Sequence, residues 1–202
     1  VYKRQEPGDV VRLTGGTFVI KDGLSLDVPG VKIEGEGMDA SILEFSNQKS
    51  GAQGLLVTSD NVTLQDFAVV NAKGDAIKSK GANNISFIRV KTEWTGGPKT
   101  TNGAYGLYPV ESENILIDDC VAIGASDAGI YVGQSKNIIV KNSFVKHNVA
   151  GIEIENSFFA DVFDNLAEEN TGGILVFDLP DLPQQGGHHV RVFNNKVINN
   201  NT

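Results

Sequence analysis

The chain contains one cysteine in 202 residues, which excludes a disulfide framework. It has no run of 18 apolar residues, the length that a transmembrane helix requires, and no signal peptide is visible. Basic residues form no run or stripe and the formal net charge is −8, which argues against nucleic-acid binding. An acidic surface also attracts anionic polysaccharides poorly unless calcium or local Lys and Arg compensate for it.

Helical periodicity is also missing, since no stretch of about ten residues repeats its apolar positions every 3.6 residues. Apolar residues instead recur at every second position, as at Ile130 and Val132 and again at Ile138 and Val140. Turns rich in Gly, Asn, Ser and Asp separate these short segments. The pattern predicts an all-β fold.

The alternating segments belong to a repeat that is marked by one glycine. It recurs at Gly106, Gly129, Gly151 and Gly173, in steps of 23, 22 and 22 residues. Such a period is typical of a solenoid, in which each repeat buries its apolar face on its neighbours. Hexapeptide helices and leucine-rich repeats fit less well, because their periods or leucine patterns differ. We predict a single-stranded right-handed parallel β-helix of about seven coils, with three short strands and 22–23 residues per regular coil.

Aligning the repeats places equivalent residues of successive coils in columns. Cys120 falls in an inward column between Val90 and Ser143, which indicates a buried small residue rather than a catalytic thiol. The 18 asparagines recur at turns. Asn tolerates left-handed turn conformations and its amides can hydrogen-bond from coil to coil, so we interpret these residues as structural rather than as polar ligands. One turn column runs Asn61, Asn84, Asn114, Asn137, Phe159 and His189.

The ends of the sequence indicate a metagenomic fragment. The segment Val1–Gln5 equals the translation of a transposon end that is used in sequencing libraries, and we treat residues 1–5 as non-native. Residues 6–202 then form one β-helix domain, and the last residues fall inside a repeat. We expect this domain to be truncated at both ends.

Two insertions lengthen turns beside the first strands of the coils. Residues 93–104 precede the first strand of one coil, and residues 177–187 follow the first strand three coils later. Both border the face formed by the first strands, from opposite edges, and loops beside a rigid sheet are where binding sites concentrate. We therefore predict a groove over this face, which we call the first-strand face.

Outward residues of the first-strand face form two columns. The first contains Lys78, Tyr108, Tyr131, Glu153 and Leu175, and the second contains Lys80, Val110, Gly133, Glu155 and Phe177. Exposed tyrosines one coil apart suit stacking on sugar rings, and nearby carboxylates suit hydrogen bonds to sugar hydroxyls. The alternative is that the aromatic residues only stabilise the strands. The predicted substrate-binding residues are Tyr108, Tyr131, Trp94 in the wall, Glu153, Glu155, Phe177 and Asp178.

The same face offers candidate catalytic residues, and the sequence does not decide whether the protein is an enzyme. A glycoside hydrolase needs two carboxylates, for which Glu153 with Asp127 or Glu111 is the best pair. A lyase or an epimerase needs a base, for which Lys78 and Lys80 are the candidates, and a cation such as calcium, which Glu153 and Glu155 could hold. Neighbouring carboxylates on a solenoid can equally form a solvated acidic face.

His188 and His189 are a second candidate metal site. Neighbouring histidines can bind copper or zinc, but no Cys or Met joins this pair and His147 is about two coils away. His189 also occupies a turn position that Asn holds in other coils. We therefore favour a turn-filling role for the pair and keep metal binding as an alternative.

The stretch 103–187 contains GLYPVESENILIDDC, GIYVGQSKNIIVKNS, GIEIENS and GGILVFDLPDLPQQGG. In these segments it resembles a family of exported bacterial right-handed parallel β-helix repeat proteins of unestablished function. The resemblance covers nearly all of residues 6–202, and it implies the fold and a periplasmic, outer-membrane-anchored or secreted location. More distantly, the chain is similar to the pectate-lyase-like fold, which includes mannuronan epimerases and copper-site accessory β-helices.

The resemblance carries over no catalytic residue. Epimerases of this fold have Asp-Pro-His-Asp on the first-strand face, where this chain has Tyr108-Pro109-Val110-Glu111. Pectate lyases place Arg near their calcium carboxylates, whereas Arg89 and Arg191 fall here on outward positions of second strands. Fold alone does not decide function.

We therefore expect an exported protein that binds a polysaccharide, and in one version processes it, over the first-strand face. The second hypothesis is a non-enzymatic envelope scaffold or partner-binding module, in which an envelope protein fills the groove. The third is periplasmic copper handling through His188 and His189. The expected partner is a polysaccharide or an envelope protein, and calcium is the one cofactor that we consider.

Overall fold

The computed structural model describes residues 5–201, and every regular secondary-structure element in that range is a β-strand. Of residues 1–5, which the sequence predicts to be non-native, only Gln5 is among the described residues. None of the described residues form a helix that is long and apolar enough to cross a membrane. The prediction of an all-β chain is confirmed.

The strands follow one another along the chain with turns between them. In chain order they are β1 (Val10–Arg12), β2 (Gly16–Val19), β3 (Asp22–Leu26), β4 (Lys32–Glu34), β5 (Ser41–Glu44), β6 (Ser50–Val57), β7 (Thr63–Val70), β8 (Asp75–Lys80), β9 (Ile85–Glu93), β10 (Leu107–Val110), β11 (Glu113–Asp118), β12 (Val121–Ile123), β13 (Ala128–Gly133), β14 (Lys136–Lys141), β15 (Phe144–Lys146), β16 (Ala150–Glu155), β17 (Phe158–Phe163), β18 (Leu166–Glu168), β19 (Gly172–Phe177), β20 (His188–Phe193) and β21 (Lys196–Ile198).

The strands form two sheets whose members pair in parallel from coil to coil. The first-strand face is the outer surface of a seven-stranded sheet in the order β19-β16-β13-β10-β8-β6-β3. Second and third strands belong to a 14-stranded sheet, which runs β20-β17-β14-β11-β9 on one side and β12-β15-β18-β21 on the other. The chain therefore winds as a parallel β-helix around one apolar core.

Two coils depart from the predicted three short strands. β7 and β9 each run without a break through the second and third strand positions, bending at residues with left-handed φ, Asp66 at 60° and Arg89 at 49°. In later coils the backbone N–H at this corner donates to a side-chain oxygen instead of to a backbone carbonyl oxygen. For example, the Cys120 N–H donates to Ser143 Oγ. The strand is interrupted there for that reason.

The register of the sheets confirms the predicted columns. Ile115 pairs with Ile85 and Ile138, and Ile117 pairs with Phe87 and Val140, all with inward side chains. Cys120 is 1% exposed, and burial raises the pKa of its thiol to about 12, so this group is a core residue as predicted. On the outer surface, Tyr108 pairs with Lys78 in the predicted column.

The repeated glycine is required by the close approach of neighbouring coils. A Cβ atom at Gly106 would overlap the carbonyl oxygen of Gly129, and one at Gly151 would lie 2.5 Å from the carbonyl oxygen of Gly173. Any larger residue would force the coils apart at this corner. The 22–23-residue period therefore marks a packing requirement of the stacked backbone.

Asparagines form ladders both outside and inside the helix. Outside, Nδ2 of Asn84 donates to Asn61 and Nδ2 of Asn114 donates to Asn84, at 2.9 Å and 2.8 Å, and these residues have left-handed φ. Inside, Asn148 Nδ2 donates to Asn170 Oδ1, and Asn170 Nδ2 donates to Asn200 Oδ1. The structural interpretation of the asparagines is confirmed.

Two core hydroxyls, on Ser79 and Thr92, have no hydrogen-bond partner among the described residues. A buried polar group without a partner costs about 1–3 kcal/mol. We expect Thr92→Val, which removes the hydroxyl and nearly keeps the volume, to raise the free energy of unfolding by about 1 kcal/mol. Urea unfolding measures this change.

Thr95→Val is the matched control for this substitution. Thr95 is exposed, and its Oγ1 exchanges hydrogen bonds of 3.0 Å and 3.1 Å with the amide of Asn71. This variant is expected to be no more stable than the wild type. Equal gains at both positions would show that the replacement of the hydroxyl by a methyl group is itself favourable and that the missing partner of Thr92 is irrelevant.

Candidate functional site

Three tyrosines form the centre of the first-strand face. Tyr108 lies in β10 and Tyr131 in β13, while Tyr105 directly follows the first insertion. The ring centroids are 4.5 Å apart for Tyr105 and Tyr108 and 4.8 Å apart for each of the other two pairs. With Val110 and two alanines they form an apolar cluster outside the main core. Aromatic rings at these separations attract one another, so each ring holds the others in place.

Tyr131 folds over the neighbouring position of its own strand, because Gly133 has no side chain. A Cβ atom at Gly133 would overlap the Tyr131 hydroxyl. That hydroxyl donates a hydrogen bond of 2.9 Å to Oε1 of Glu155, one coil further along. Burial, followed by this hydrogen bond, raises the pKa of Tyr131 above its ordinary value. Tyr131 is 4% exposed, which corrects the prediction of an exposed ring: Tyr131 supports the cluster, while Tyr108 is half-buried.

One cation lies beside the tyrosines. Lys78 Nζ is 4.2 Å from the centre of the Tyr108 ring, a distance at which a cation gains about 0.5–2 kcal/mol from the ring face. Asp75, at the start of β8, faces the same lysine. Burial raises the pKa of Asp75, and the charge of Lys78 offsets part of that rise. This end of the cluster therefore combines an aromatic face with charges of both signs.

Carboxylates lie beside the tyrosines in the later coils. Asp127 immediately precedes β13, and Glu153 and Glu155 are outward residues of β16 that are only 8% and 7% exposed. Burial, followed by the charges of Asp127 and Glu155, raises the pKa of Glu153 to about 7. Near neutral pH, both the protonated and the charged form of Glu153 are therefore present.

This arrangement can move a proton near neutral pH. A carboxyl group with a raised pKa donates its proton to a bound ligand more readily than an ordinary glutamate does. Asp127 lies close to both Glu153 and Tyr105, since its charge contributes to the raised pKa of each. A protonated acid beside a carboxylate is the pair that glycosidic-bond hydrolysis uses.

Trp94 does not line the groove, which corrects its predicted role. It is 5% exposed within the main core, and its Nε1 donates a hydrogen bond of 2.7 Å to the carbonyl oxygen of Ala72. Trp94 lies at the start of the first insertion, where the chain still continues the third strand. Its side chain therefore points into the core, like the inward residues of that strand. The aromatic residue that joins the face at the end of this insertion is Tyr105, which was not predicted. Its position directly before Gly106 was the available signal.

Three other predicted residues lie at the edges of the face. Glu111 is exposed, and its Oε1 is 3.4 Å from Lys80 Nζ. Phe177 is half-buried and pairs with Glu155 in register. Asp178 accepts a hydrogen bond of 2.8 Å from the Gly187 N–H, which closes the second insertion. These residues border the tyrosine cluster rather than join it.

Hydrogen bonds from side-chain amides hold each insertion at the edge of the first-strand face that the sequence predicts for it. Asn102 Nδ2 donates to the carbonyl oxygens of Gly97 and Gly124 in the first insertion, at 3.0 Å and 2.6 Å. In the second, Asn156 Nδ2 donates to the carbonyl oxygens of Leu179 and Gln184 at 2.9 Å and 2.8 Å. These bonds fix the loops on either side of the first-strand face.

The predicted metal ligands fall into two separate places. His188 and His189 are exposed on the second-strand surface, where their Nδ1 atoms are 2.5 Å apart. Within residues 5–201, no three or more His, Cys, Asp or Glu side chains are grouped so that they could hold a metal ion. Glu155 already accepts a hydrogen bond from Tyr131, so the pair Glu153 and Glu155 does not present a cage of oxygens. Calcium binding stays a prediction.

Two features define the class of protein. The strands wind as a parallel β-helix, and the outer face of one sheet carries aromatic and acidic residues between two insertions. The chain belongs to the family described as the right-handed β-helix region, which matches residues 29–181. This match confirms the predicted handedness. A search of curated proteins returned no match to the chain.

Solved structures share the fold at low identity. The pre-mature gene product 12 of bacteriophage phi29 matches with a TM-score of 0.78 and 17% identity, over 92% of this chain and 28% of that protein. Pectate lyase Pel9A matches with a TM-score of 0.62 and 14% identity, over 98% of this chain and 71% of that one. The A-module of mannuronan C-5 epimerase AlgE4 from Azotobacter vinelandii has a TM-score of 0.52 and 16% identity, with 92% and 66% covered.

These likenesses establish the fold and leave the function open. This chain spans 28% of the length of the phage protein, and 71% and 66% of the two enzymes. The same superfold carries many activities, and what a site does depends on its own residues.

Proposed function

We propose that this protein binds a polysaccharide across the first-strand face, with a sugar ring against Tyr108 and sugar hydroxyls at Lys78 and Glu153. The observation that carries the proposal is the packed cluster of Tyr105, Tyr108 and Tyr131, which has a cation over one ring and buried carboxylates beside it. Half-buried aromatic rings flanked by fixed polar groups suit a ligand with an apolar face and polar edges.

Two further facts support a polysaccharide. Among the structures of this fold are enzymes named for pectate and for mannuronan, both of which are polysaccharides. The insertions at opposite edges leave a path along the helix axis, and outward residues repeat along it about every 4.8 Å. A repeating ligand can therefore meet equivalent positions in successive coils. We further propose an exported location, whether periplasmic, outer-membrane-anchored or secreted, because such a ligand is met there.

We further propose that the protein hydrolyses the bound polysaccharide, because the chemistry of Glu153 favours this reaction. Protonated Glu153 donates its proton to the glycosidic oxygen and the bond from that oxygen to the anomeric carbon breaks. Water then adds to the anomeric carbon and gives a proton to Asp127. The raised pKa of Glu153 keeps the acid protonated in part of the population near pH 7. Lyase or epimerase chemistry with Lys78 or Lys80 as the base stays a prediction from the sequence.

Tyr108→Ala is expected to weaken polysaccharide binding at least tenfold, because it removes the ring face and frees Lys78 from its position over that ring. Calorimetric titration with hexamers of galacturonate, mannuronate and β-1,4-linked glucose measures the effect. Tyr108→Phe keeps the ring and should bind within about threefold of the wild type.

Phe193→Ala is the matched control, since Phe193 is an aromatic residue that is 41% exposed on the other sheet. It should leave titrations at the first-strand face unchanged. If none of the three oligosaccharides binds, or if Tyr108→Ala binds as well as the wild type, the proposal fails.

A further inference from the structure

The outer asparagine column changes its chemistry at Phe159. Asn137 Nδ2 still donates to Asn114 Oδ1 at 3.1 Å, but the next residue of the column has no amide with which to continue the ladder. Phe159 keeps the left-handed φ of the column, at 56°. This conformation suits Asn and strains a bulky residue, typically by about 1–3 kcal/mol. The fold alone would favour Asn at this position.

The strained side chain is presented to solvent. Phe159 is 52% exposed, and its ring lies 5.2 Å from that of His189, at an interplanar angle of 33°, and 5.4 Å from that of His188. Two imidazoles therefore support the ring on one side. An exposed aromatic residue that costs conformational energy and is held by its neighbours indicates a binding role, because strain of this kind concentrates at functional sites.

Phe159 borders a groove of about 660 Å³ on the outer surface of the second strands. Its floor is apolar and includes Leu116 and Ile139, the latter 41% exposed. Amides of the asparagine column form one side, and Asp161 with Arg191 closes the end. A volume of this size is within the range of small-ligand sites, which is about 300–1,000 Å³.

The charges in the groove cancel. Arg191 binds Asp161 through two hydrogen bonds, Nε to Oδ1 at 2.7 Å and Nη2 to Oδ2 at 2.6 Å. Apart from the imidazole of His189, the other lining residues that the structure describes have no ionisable side chain. The groove therefore offers planar hydrogen-bonding groups without net attraction for an acidic or a basic ligand.

We propose that this groove, between Phe159, Ile139 and the Asp161–Arg191 pair, is a second carbohydrate-binding site that takes an uncharged saccharide. The apolar face of a sugar ring packs on Phe159 and Ile139, and its hydroxyls reach the Asn137 amide and the ion pair. An apolar peptide would cover the side-chain oxygen of Asn137, at which the ladder stops, without giving it a hydrogen bond, which costs binding energy. The inference does not depend on the first-strand face, which lies on the other sheet.

The test uses β-1,4-linked mannose and xylose hexamers, titrated calorimetrically and followed in parallel by thermal unfolding. Phe159→Asn is expected to weaken binding of the best hexamer at least tenfold and to raise the unfolding midpoint by about 2–4 °C, since Asn relieves the strain and can extend the ladder. Phe159→Tyr keeps the ring and should bind within about threefold. A loss of binding in a more stable variant cannot come from unfolding.

Tyr108→Ala is the matched control, because it removes an aromatic residue from the other site. If a neutral hexamer binds and loses affinity only in Phe159→Asn, the inference holds even if the first-strand face binds nothing. If no neutral hexamer binds, or Phe159→Asn binds as tightly as the wild type, the inference is wrong. Concentration-dependent self-association that Phe159→Asn abolishes without any saccharide effect would assign the groove to a second copy of the chain and equally overturn it.

Discussion

Glu153→Gln is expected to stabilise the protein by on the order of 3 kcal/mol at pH 8 and to leave its stability nearly unchanged at pH 4. The cause is the burial of Glu153, which is 8% exposed, together with the nearby negative charges of Asp127 and Glu155. Glutamine has the shape of the protonated side chain and carries no charge. Urea unfolding at several pH values measures the difference.

The sign follows from the pKa of Glu153 in the two states. The folded protein raises this pKa to about 7, above the ordinary value of 4.5 that the unfolded chain retains. The folded state therefore binds the proton more tightly. Stability is fully present below about pH 4.5 and is lost as the pH rises through 7, at about 1.4 kcal/mol per unit between the two values. The variant lacks this loss.

Glu169→Gln provides a control of opposite sign. Hydrogen bonds from Lys146 and His147 lower the pKa of Glu169, so its charge is favourable in the folded state. Its replacement should leave the protein no more stable at pH 8. If Glu153→Gln stabilises equally at pH 4 and pH 8, burial of a charge is not the cause.

The same variant separates binding from processing. Glu153→Gln cannot donate a proton, so hydrolysis of any oligosaccharide that the wild type cleaves should fall at least 100-fold, while binding changes little. Reducing-end assays with the hexamers that bind in calorimetry measure this. A more stable variant with undiminished cleavage would remove Glu153 from the chemistry.

Asn170→Ala is expected to destabilise the protein by about 4 kcal/mol. Asn170 is fully buried in the interior ladder, where its Oδ1 accepts from both the N–H and the side chain of Asn148. Its Nδ2 donates to the carbonyl oxygens of Val145 and Glu168 and to Asn200 Oδ1, each at 3.0–3.1 Å. Alanine leaves several buried polar groups without partners and creates a cavity as well. Denaturant unfolding measures the loss.

Asn83→Ala is the comparison at the surface. Asn83 is half-buried, and its Oδ1 accepts one hydrogen bond of 2.9 Å from the Glu113 N–H. Its replacement should cost about 1 kcal/mol. Similar losses at the two positions would mean that the interior ladder adds no more stability than a surface turn.

The sequence predicts the fold well because the fold repeats. One glycine per coil, alternating apolar residues and stacked asparagines each leave a periodic signal, and the register of Ile115 with Ile85 and Ile138 follows from that period. The merged strands β7 and β9 were not predicted. They depend on whether a side chain such as Ser143 replaces a backbone partner at the corner, which no pattern within one coil reveals.

The sequence predicts where the candidate site lies, but only some of the residues that form it. Strand alternation places Lys78, Tyr108 and Glu153 on one face, and register confirms that placement. Burial on an outer surface is different, because it depends on long-range packing. Tyr131 is covered since Gly133 leaves space for it, and Trp94 turns inward at the start of an irregular loop. Insertions break the period, so the residues that they contribute cannot be placed by it.

The central claim is that a polysaccharide lies over the first-strand face, and a crystal structure with a bound hexamer tests it most directly. The expected result is electron density for sugar rings along the helix axis between the two insertions, with one ring against Tyr108 and hydroxyls within hydrogen-bond distance of Lys78 and Glu153. A hexamer that binds tightly in solution and is found in the crystal only away from this face would contradict the claim.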